Sequence, residues 1–297
     1  MKLTVLTTTY NRCRLLTKLY DSLKNQECKE FRWLIVDDGS EDRTEAIVKD
    51  WMKSEDCFEI KYVKKINGGK SQAVNVGLSE CLEDDFVLII DDDEILYKNA
   101  LSIVRKYVKK YLVSECVGIE FLRNGDDGKP IANYDIAQDF YMTVQERKRR
   151  NYQIDGYAGY FVERLGDNRF PEFKNERYVG PGVLQMLVSK NRKYKLLWPN
   201  AILGETEYLQ GGITRQGRKL RVKNPKGMVV YCGLMQTDDA GLKVRLKYSI
   251  MGYAYLFLAK ISSNEVFPEF ADEFIRITKV LGWTLGCYWK IKYLNDK

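Results

Sequence analysis

Four acids in a row, Asp91, Asp92, Asp93 and Glu94, follow directly on the apolar run 86–90. Carboxylates at the mouth of a buried strand are costly unless positive charge sits among them, and a divalent cation would supply it. Side chains alternate along a strand, so Asp91 and Asp93 are expected to face one ligand, with Asp93 in direct contact with the metal. Asp92 and Glu94 should then point the other way. The chain has no histidine, so imidazole bases, Ser/His/Asp nucleophile systems and His-ligated zinc are excluded. Acid–base chemistry falls to Asp and Glu, and a metal would be a hard cation held by oxygen.

Three other short runs carry polar or glycine-rich chemistry: Thr7 to Asn11, then Asp37, Asp38, Gly39 and Ser40, then Asn67, Gly68, Gly69 and Lys70. Each follows an apolar, β-branched stretch, over 3–7, 31–36 and 59–63, as the acidic run follows 86–90. Helical leucine spacing or its equivalent fills 14–24, 45–52, 71–82 and 98–110. Strands and helices in alternation predict a parallel sheet wrapped by helices, with ligands at the carboxyl ends of its strands. All four runs fall on that rim. Asp and Ser are also common helix caps and Asn-Gly a common turn, so the weight lies in their coincidence.

The 297 residues are sufficient for one large α/β domain or two small ones, and their 45% hydrophobic and 30% charged residues read as an ordinary globular chain. A net charge of +7 is a mild bias toward phosphate-bearing ligands and too small a footprint for nucleic acid. Seven scattered cysteines without a CxxC pair indicate neither a disulfide framework nor a thiolate cluster. The start of the chain turns polar too early for a signal peptide, and no apolar run reaches the roughly 18 residues of a membrane span. A cytoplasmic location is expected, extending to the inner face of the membrane.

The motifs TTYNR, VDDGS, the NGG turn leading to Ala73, Asn75 and Gly77, and IIDDDE together resemble the family 2 inverting glycosyltransferases, in order and spacing over roughly residues 1–110. The resemblance implies a GT-A fold: an α/β, Rossmann-like, mostly parallel sheet flanked by helices, here with a C-terminal helical extension. It implies a nucleotide-sugar donor, UDP-linked in the first instance, with Thr8, Thr9, Tyr10, Asn11 and Asp38 on the base and ribose. With the rim residues Asn67 and Lys70, and with Asp91 and Asp92, these make the expected nucleotide-binding set. Asp91 and Asp93 would form the DxD element, Asp93 binding Mn²⁺ or Mg²⁺. The acceptor would be a glycan or a lipid-linked saccharide of a surface polysaccharide.

Residues 116–122 read as a fifth strand, followed by a turn over 124–128. The basic run Arg147, Lys148, Arg149 and Arg150 reads as a solvated helix or loop that could also meet an anionic acceptor. The stretch 154–185 resembles the acceptor segment of bacterial polysaccharide enzymes. Where that pattern places a carboxylate, the usual candidate base, this chain has Pro181. Glu176 is the nearest remaining carboxylate and the candidate catalytic base, with Glu172 and Asp155 behind it. Residues 183–197 read as a helix, with a strand near 194–198. The acid-free basic segment with Arg215 and Arg218 reads as a loop closing on the diphosphate. The tail, helical over 242–261 and 274–294, carries an aromatic and cationic stripe, suited to packing on the domain or a second subunit as a homodimer, or to peripheral membrane contact. The expected organisation is a glycosyltransferase domain over 1–230, split at 115 into donor and acceptor halves, and a helical region over 231–297. Pro181 keeps open a catalytically impaired nucleotide-sugar-binding or scaffold subunit, whereas a sugar nucleotidyltransferase would want a glycine-rich, Arg-bearing loop where TTYNR stands.

Overall fold

A computed structural model describes residues 1–125, 127–133, 138–190, 195–206, 213–262, 265 and 274–294, with the side chains of 213–216 outside the described set. The chain divides into two compact units that interleave along the sequence. One comprises Met1–Met142, Gln153–Asn168 and Asn191–Tyr208, the other Thr143–Tyr152, Arg169–Lys190 and Leu209–Lys297.

The first unit begins with strand–helix alternation: β1 (Leu3–Thr9), α1 (Cys13–Lys24), β2 (Arg32–Asp37), α2 (Thr44–Ser54), β3 (Glu59–Lys64), α3 (Lys70–Ser79), β4 (Phe86–Ile89), a short β5 (Glu94–Leu96) and α4 (Ala100–Tyr111). It continues with β6 (Cys116–Asn124) and β7 (Phe140–Met142). Strands β1 to β4 pair in parallel in the order 3-2-1-4. Beyond β4 the sheet becomes mixed. There β8 (Gly156–Phe161) lies antiparallel between β4 and β6, while β9 (Lys195–Trp198) and β10 (Ile202–Thr206) run parallel to β6.

Alternation along β1 sorts the two faces. Leu3 and Val5 join the cluster with Leu16, Leu19 and Leu23 of α1, Val48 of α2 and Leu101 and Val104 of α4. Leu6 points to the other face, where α3 approaches so closely that a Cβ on Gly77 would lie 2.3 Å from Leu6 Cδ1. Burial of these aliphatic side chains on both faces is why the first strands read as continuous apolar runs rather than alternating ones. Below the sheet's amino edge, Asp85 accepts from Arg32 Nη2 at 2.9 Å and from Thr4 Oγ1 at 3.1 Å, with Asp85 fully buried.

The second unit is helical: α5 (Val144–Arg149), α7 (Gly182–Ser189), α8 (Ile213–Lys223), α9 (Pro225–Leu234), α10 (Gly241–Ala259) and α11 (Lys279–Leu294), while the four-residue α6 (Val162–Leu165) belongs to the first unit. Helix α5 opens on a full capping box in which the Thr143 and Glu146 side chains each accept from the other's backbone N–H.

Two expected elements are corrected. The helix expected over 183–197 ends at Ser189, and β9 starts only at Lys195, with Tyr194 outside the described residues. The segment expected to be a loop is the helix α8, bent where Gly217 takes φ 51°. Its run of Arg, Lys, Leu and Gln favours a helix, and only the glycine can take the left-handed bend without strain.

Candidate active site

The carboxyl rim of β1 to β4 is built by short backbone extensions past each strand. Asp38 N–H donates to Thr9 O and Lys65 N–H to Asp37 O, both at 2.9 Å, so the ladder continues into the loops. Asp38 is buried and organises the β3–α3 turn, accepting from Lys65 Nζ at 2.7 Å, Gly68 N–H at 2.9 Å and Gly69 N–H at 2.7 Å. That turn needs glycine at Gly69, which takes φ 96° before α3, and the facing loop after β2 needs it at Gly39, which takes φ 85° where a Cβ would lie 2.9 Å from Asn67 N. Asn67, half-buried, is thereby fixed against the Asp38 loop.

At the end of β1, Asn11 adopts φ 54° and its Oδ1 accepts from Glu41 N–H at 2.8 Å, tying the TTYN run to the loop after β2. Tyr10 projects outward, 45% exposed. Thr8 is half-buried, and Thr9, pointing inward, donates through Oγ1 to Asp92 Oδ2 at 2.7 Å.

The acidic run is a turn, which corrects the expected two-sided alternation. The chain leaves extended geometry after Ile89, and Asp91 N–H folds back onto Glu94 Oε2 at 3.0 Å. As a result Asp92 and Asp93 share one partner: Arg12 Nη1 donates to Asp92 Oδ1 at 3.0 Å and to Asp93 Oδ2 at 3.2 Å. Lys70 Nζ donates to both Asp91 oxygens at 2.5 Å. Buried Glu94 pairs with Arg123, whose other nitrogen reaches Asp155 Oδ2 at 2.5 Å.

These neighbours set the protonation chemistry. Burial works to raise the Asp91 carboxyl, but Lys70, Arg123 and Arg12 hold it below the ordinary range. Asp92 is pushed up to about 6 by burial, with Arg12 and Thr9 opposing and Asp93 adding repulsion. Asp93 is raised by burial and by Asp91. Lys70 is lowered by crowding and lifted further by Asp91, so it stays a firm cation. A cluster of oxygen donors carrying excess negative charge suits a hard divalent cation. Among the described residues the three aspartates do not converge as a ready-made trio; the group that does, Glu55, Asp56 and Cys57, lies on the loop after α2.

Sequence reading missed Arg12 and Arg123. Arg12 ends the TTYNR motif, but its reach to the acids depends on the pairing of β1 with β4, which no short run of residues states.

In the second unit, Glu176 is buried, and its carboxylate accepts from the first N–H groups of α9, Lys226 at 2.9 Å and Gly227 at 3.0 Å. Burial raises its pKa while these two donors oppose. Pro181 stands at the start of α7. Arg218 packs within its own unit, donating to Tyr255 Oη at 3.2 Å with its guanidinium 4.5 Å over the Trp289 ring. The Arg215 side chain, like residues 207–212, lies outside the described residues.

The chain is similar to several known proteins. The profile of glycosyl transferase family 2 matches residues 4–165. GalNAc(5)-diNAcBac-PP-undecaprenol beta-1,3-glucosyltransferase of Campylobacter jejuni is 27% identical over 182 residues, 60% of this chain and 56% of that protein, so the chain spans about half of it. The poly(ribitol-phosphate) beta-N-acetylglucosaminyltransferase TarS of Staphylococcus aureus is 30% identical over 113 residues, 37% of this chain and 19% of TarS. The crystal structure of TarS 1–349 with UDP-GlcNAc superposes with a TM-score of 0.65 at 19% identity, covering 98% of this chain and 81% of that one. The Pyrobaculum calidifontis mannosyltransferase PcManGT with GDP-Man and Mn²⁺ gives 0.61 at 15% identity, covering 99% and 88%. At such identities the structural likeness is one of fold, the GT-A fold. The profile spans more than half of the sequence, and the chain belongs to glycosyl transferase family 2.

Proposed function

We propose that the chain transfers a sugar, with inversion, from a nucleoside diphosphate donor, a UDP-sugar, to an acceptor hydroxyl during assembly of a surface glycan. The observation that carries this reading is the acidic turn at the mouth of β4, sharing one rim with the Asp38-held glycine turn and the TTYN run. Support also comes from relatives named for transfer onto a PP-undecaprenol-linked glycan and onto poly(ribitol-phosphate), and from fold neighbours holding UDP-GlcNAc or GDP-Man. The acceptor in this reading is a glycan or lipid-linked saccharide, met by residues 116–230, while 1–115 bind the donor and 231–297 form the helical region. The reaction would run in the cytoplasm, at the inner face of the membrane when the acceptor is lipid-linked.

In the reaction the acceptor oxygen bonds to the anomeric carbon as the bond to the nucleoside diphosphate breaks, and the hydroxyl proton passes to a carboxylate. Thr8, Thr9, Tyr10, Asn11, Asp38 and Asn67 hold the nucleoside, and Lys70 and Arg12 set fixed positive charge beside the leaving diphosphate. Asp93 and Asp91 would hold Mn²⁺ or Mg²⁺, which supplies charge stabilisation at that diphosphate. Arg215 and Arg218 are the proposed diphosphate contacts, Arg218 only by exchanging its contacts with Tyr255 and Trp289 for the ligand, and Glu176 is the proposed base.

Glu176 also anchors the start of α9, so its test needs two readouts. A general base is worth about 10²- to 10⁴-fold in rate. Glu176→Gln should lose turnover on that scale in protein that remains folded. A loss that merely tracks a fall in melting temperature assigns Glu176 to anchoring α9 alone. The donor site is tested by thermal shift with UDP and GDP, with and without Mn²⁺, where a bound nucleotide raises the melting point. A second reading, a nucleotide-sugar-binding subunit without turnover, is favoured by Pro181 and by both Glu176 oxygens facing backbone N–H groups. It predicts a nucleotide shift with no donor hydrolysis in Mn²⁺.

A further inference from the structure

Helix α11 buries one narrow side and exposes the rest. Gly282, Gly286 and Trp289 are buried against α10: a Cβ on Gly282 would lie 2.4 Å from Tyr253 Cβ, one on Gly286 2.8 Å from Phe257 Cδ1, and the Trp289 ring sits 5.0 Å from that of Tyr255. The two glycines bring the helices together, so α11 is firmly seated and its orientation fixed.

Opposite that seam, Val280 is 72% exposed, Leu281 59%, Trp283 48%, Tyr288 53%, Ile291 68% and Leu294 41%. At roughly 100° per residue these six occupy an arc of about 160° on the helix circumference, interrupted only by Thr284 and Cys287. A solvated helix would carry polar side chains there. Exposed Lys279 and Lys290 border the arc on one side and Lys292 on the other. Lys279 Nζ stands 4.8 Å from the Trp283 ring centroid and Lys292 Nζ 5.5 Å from that of Tyr288. The helix contains no acid.

An apolar arc with aromatic rings and a lysine on each border is the pattern of a helix lying in a lipid–water interface, its cations at headgroup level. A second copy on the same face would bring lysine borders together with no acid on α11 to pair them. Anionic headgroups pair with these borders, whereas neutral ones leave them unanswered. No described helix is long and apolar enough to cross a membrane, so this contact lies on the surface rather than through it. We propose that the outer face of α11 docks the protein on an anionic lipid surface, with Val280, Leu281, Trp283, Tyr288, Ile291 and Leu294 entering the interface and Lys279, Lys290 and Lys292 meeting the headgroups.

The test is flotation of the full chain with phosphatidylcholine vesicles, with and without phosphatidylglycerol, and requires no turnover. The wild type should float with the anionic vesicles. Leu281→Glu with Ile291→Glu should weaken that partition by about tenfold or more. Lys279→Gln, Lys290→Gln and Lys292→Gln together should weaken it about fivefold per charge at low salt, while touching none of the α10 seam. Protein that stays soluble with both vesicle types overturns the proposal, as does flotation unchanged in either variant. So does a wild-type dimer in sedimentation that Ile291→Glu converts to monomer, since the face would then belong to a second copy.

Discussion

Strand β4 carries an acid just beyond each end, and the two ends are built differently. At the amino end Asp85 is fully buried against Arg32, itself only 10% exposed, and its Oδ2 also accepts from Thr4 Oγ1 and the Leu82 N–H. At the carboxyl end Asp91 faces Lys70 with both side chains more than a third exposed, and Asp92 and Asp93 share Arg12. The first arrangement is closed, its cation fixed and water excluded. The second holds three carboxylates in one turn; Asp92 is itself buried, but Asp91, Lys70 and Arg12 stand open to water and ligands. The same residue type serves as cement in one place and as available chemistry in the other, because solvent access decides whether a charge pair can exchange partners.

The largest expected effect breaks the closed end. Asp85→Ala leaves Arg32 buried without its carboxylate and should cost about 3–5 kcal/mol in urea unfolding. If that loss is no greater than the loss for Asp91→Asn, the two ends are not different in kind. Next comes ligand response. At a hundredfold excess over its dissociation constant a nucleotide stabilises by about 2.7 kcal/mol, and Asp93→Asn or EDTA should abolish the metal-dependent part of that rise. Smaller again is the intrinsic cost of Asp91→Asn, within about 1 kcal/mol in the absence of ligand, because an exposed pair contributes little.

A separate, pH-dependent effect concerns a lysine whose perturbing neighbours among the described residues are all cations. Lys148 of α5 is lowered to about 8, by burial first and then by Arg147, Lys247 and Arg221. Its folded pKa lies below the unfolded lysine value, so the folded state binds fewer protons between the two. Stability should therefore rise as pH climbs from about 8 toward the ordinary lysine value near 10.4. Lys148→Met should flatten that rise in melts across the window, and an unchanged slope would remove Lys148 as its source.

Much of the first unit was legible because its signals are local. The apolar run before Asp91, the NGG turn before α3 and the helical leucines of α1 each state their own geometry within a few residues. What local reading assigned wrongly shares one cause. Alternation predicts where side chains point only while the chain stays extended, and the acids lie just past that limit. Basic composition read as a loop where α8 is helical, because the packing of Arg218 on Tyr255 and Trp289 lies outside its own window.

By itself the sequence determined the reagents: no imidazole, carboxylates in quantity at one strand mouth, and a proline where a base was expected. Only the tertiary structure decided their partners. Arg12 reaches Asp92 across 80 residues because β1 and β4 are neighbours in the sheet, and Glu176 reaches the start of α9 across 50. Such pairings depend on chain topology, which is fixed by burying whole faces of strands and helices rather than by any short run of residues. The same burial left the outer face of α11 apolar and uncovered, and that contrast with its buried glycine seam exists only once the helix has been seated.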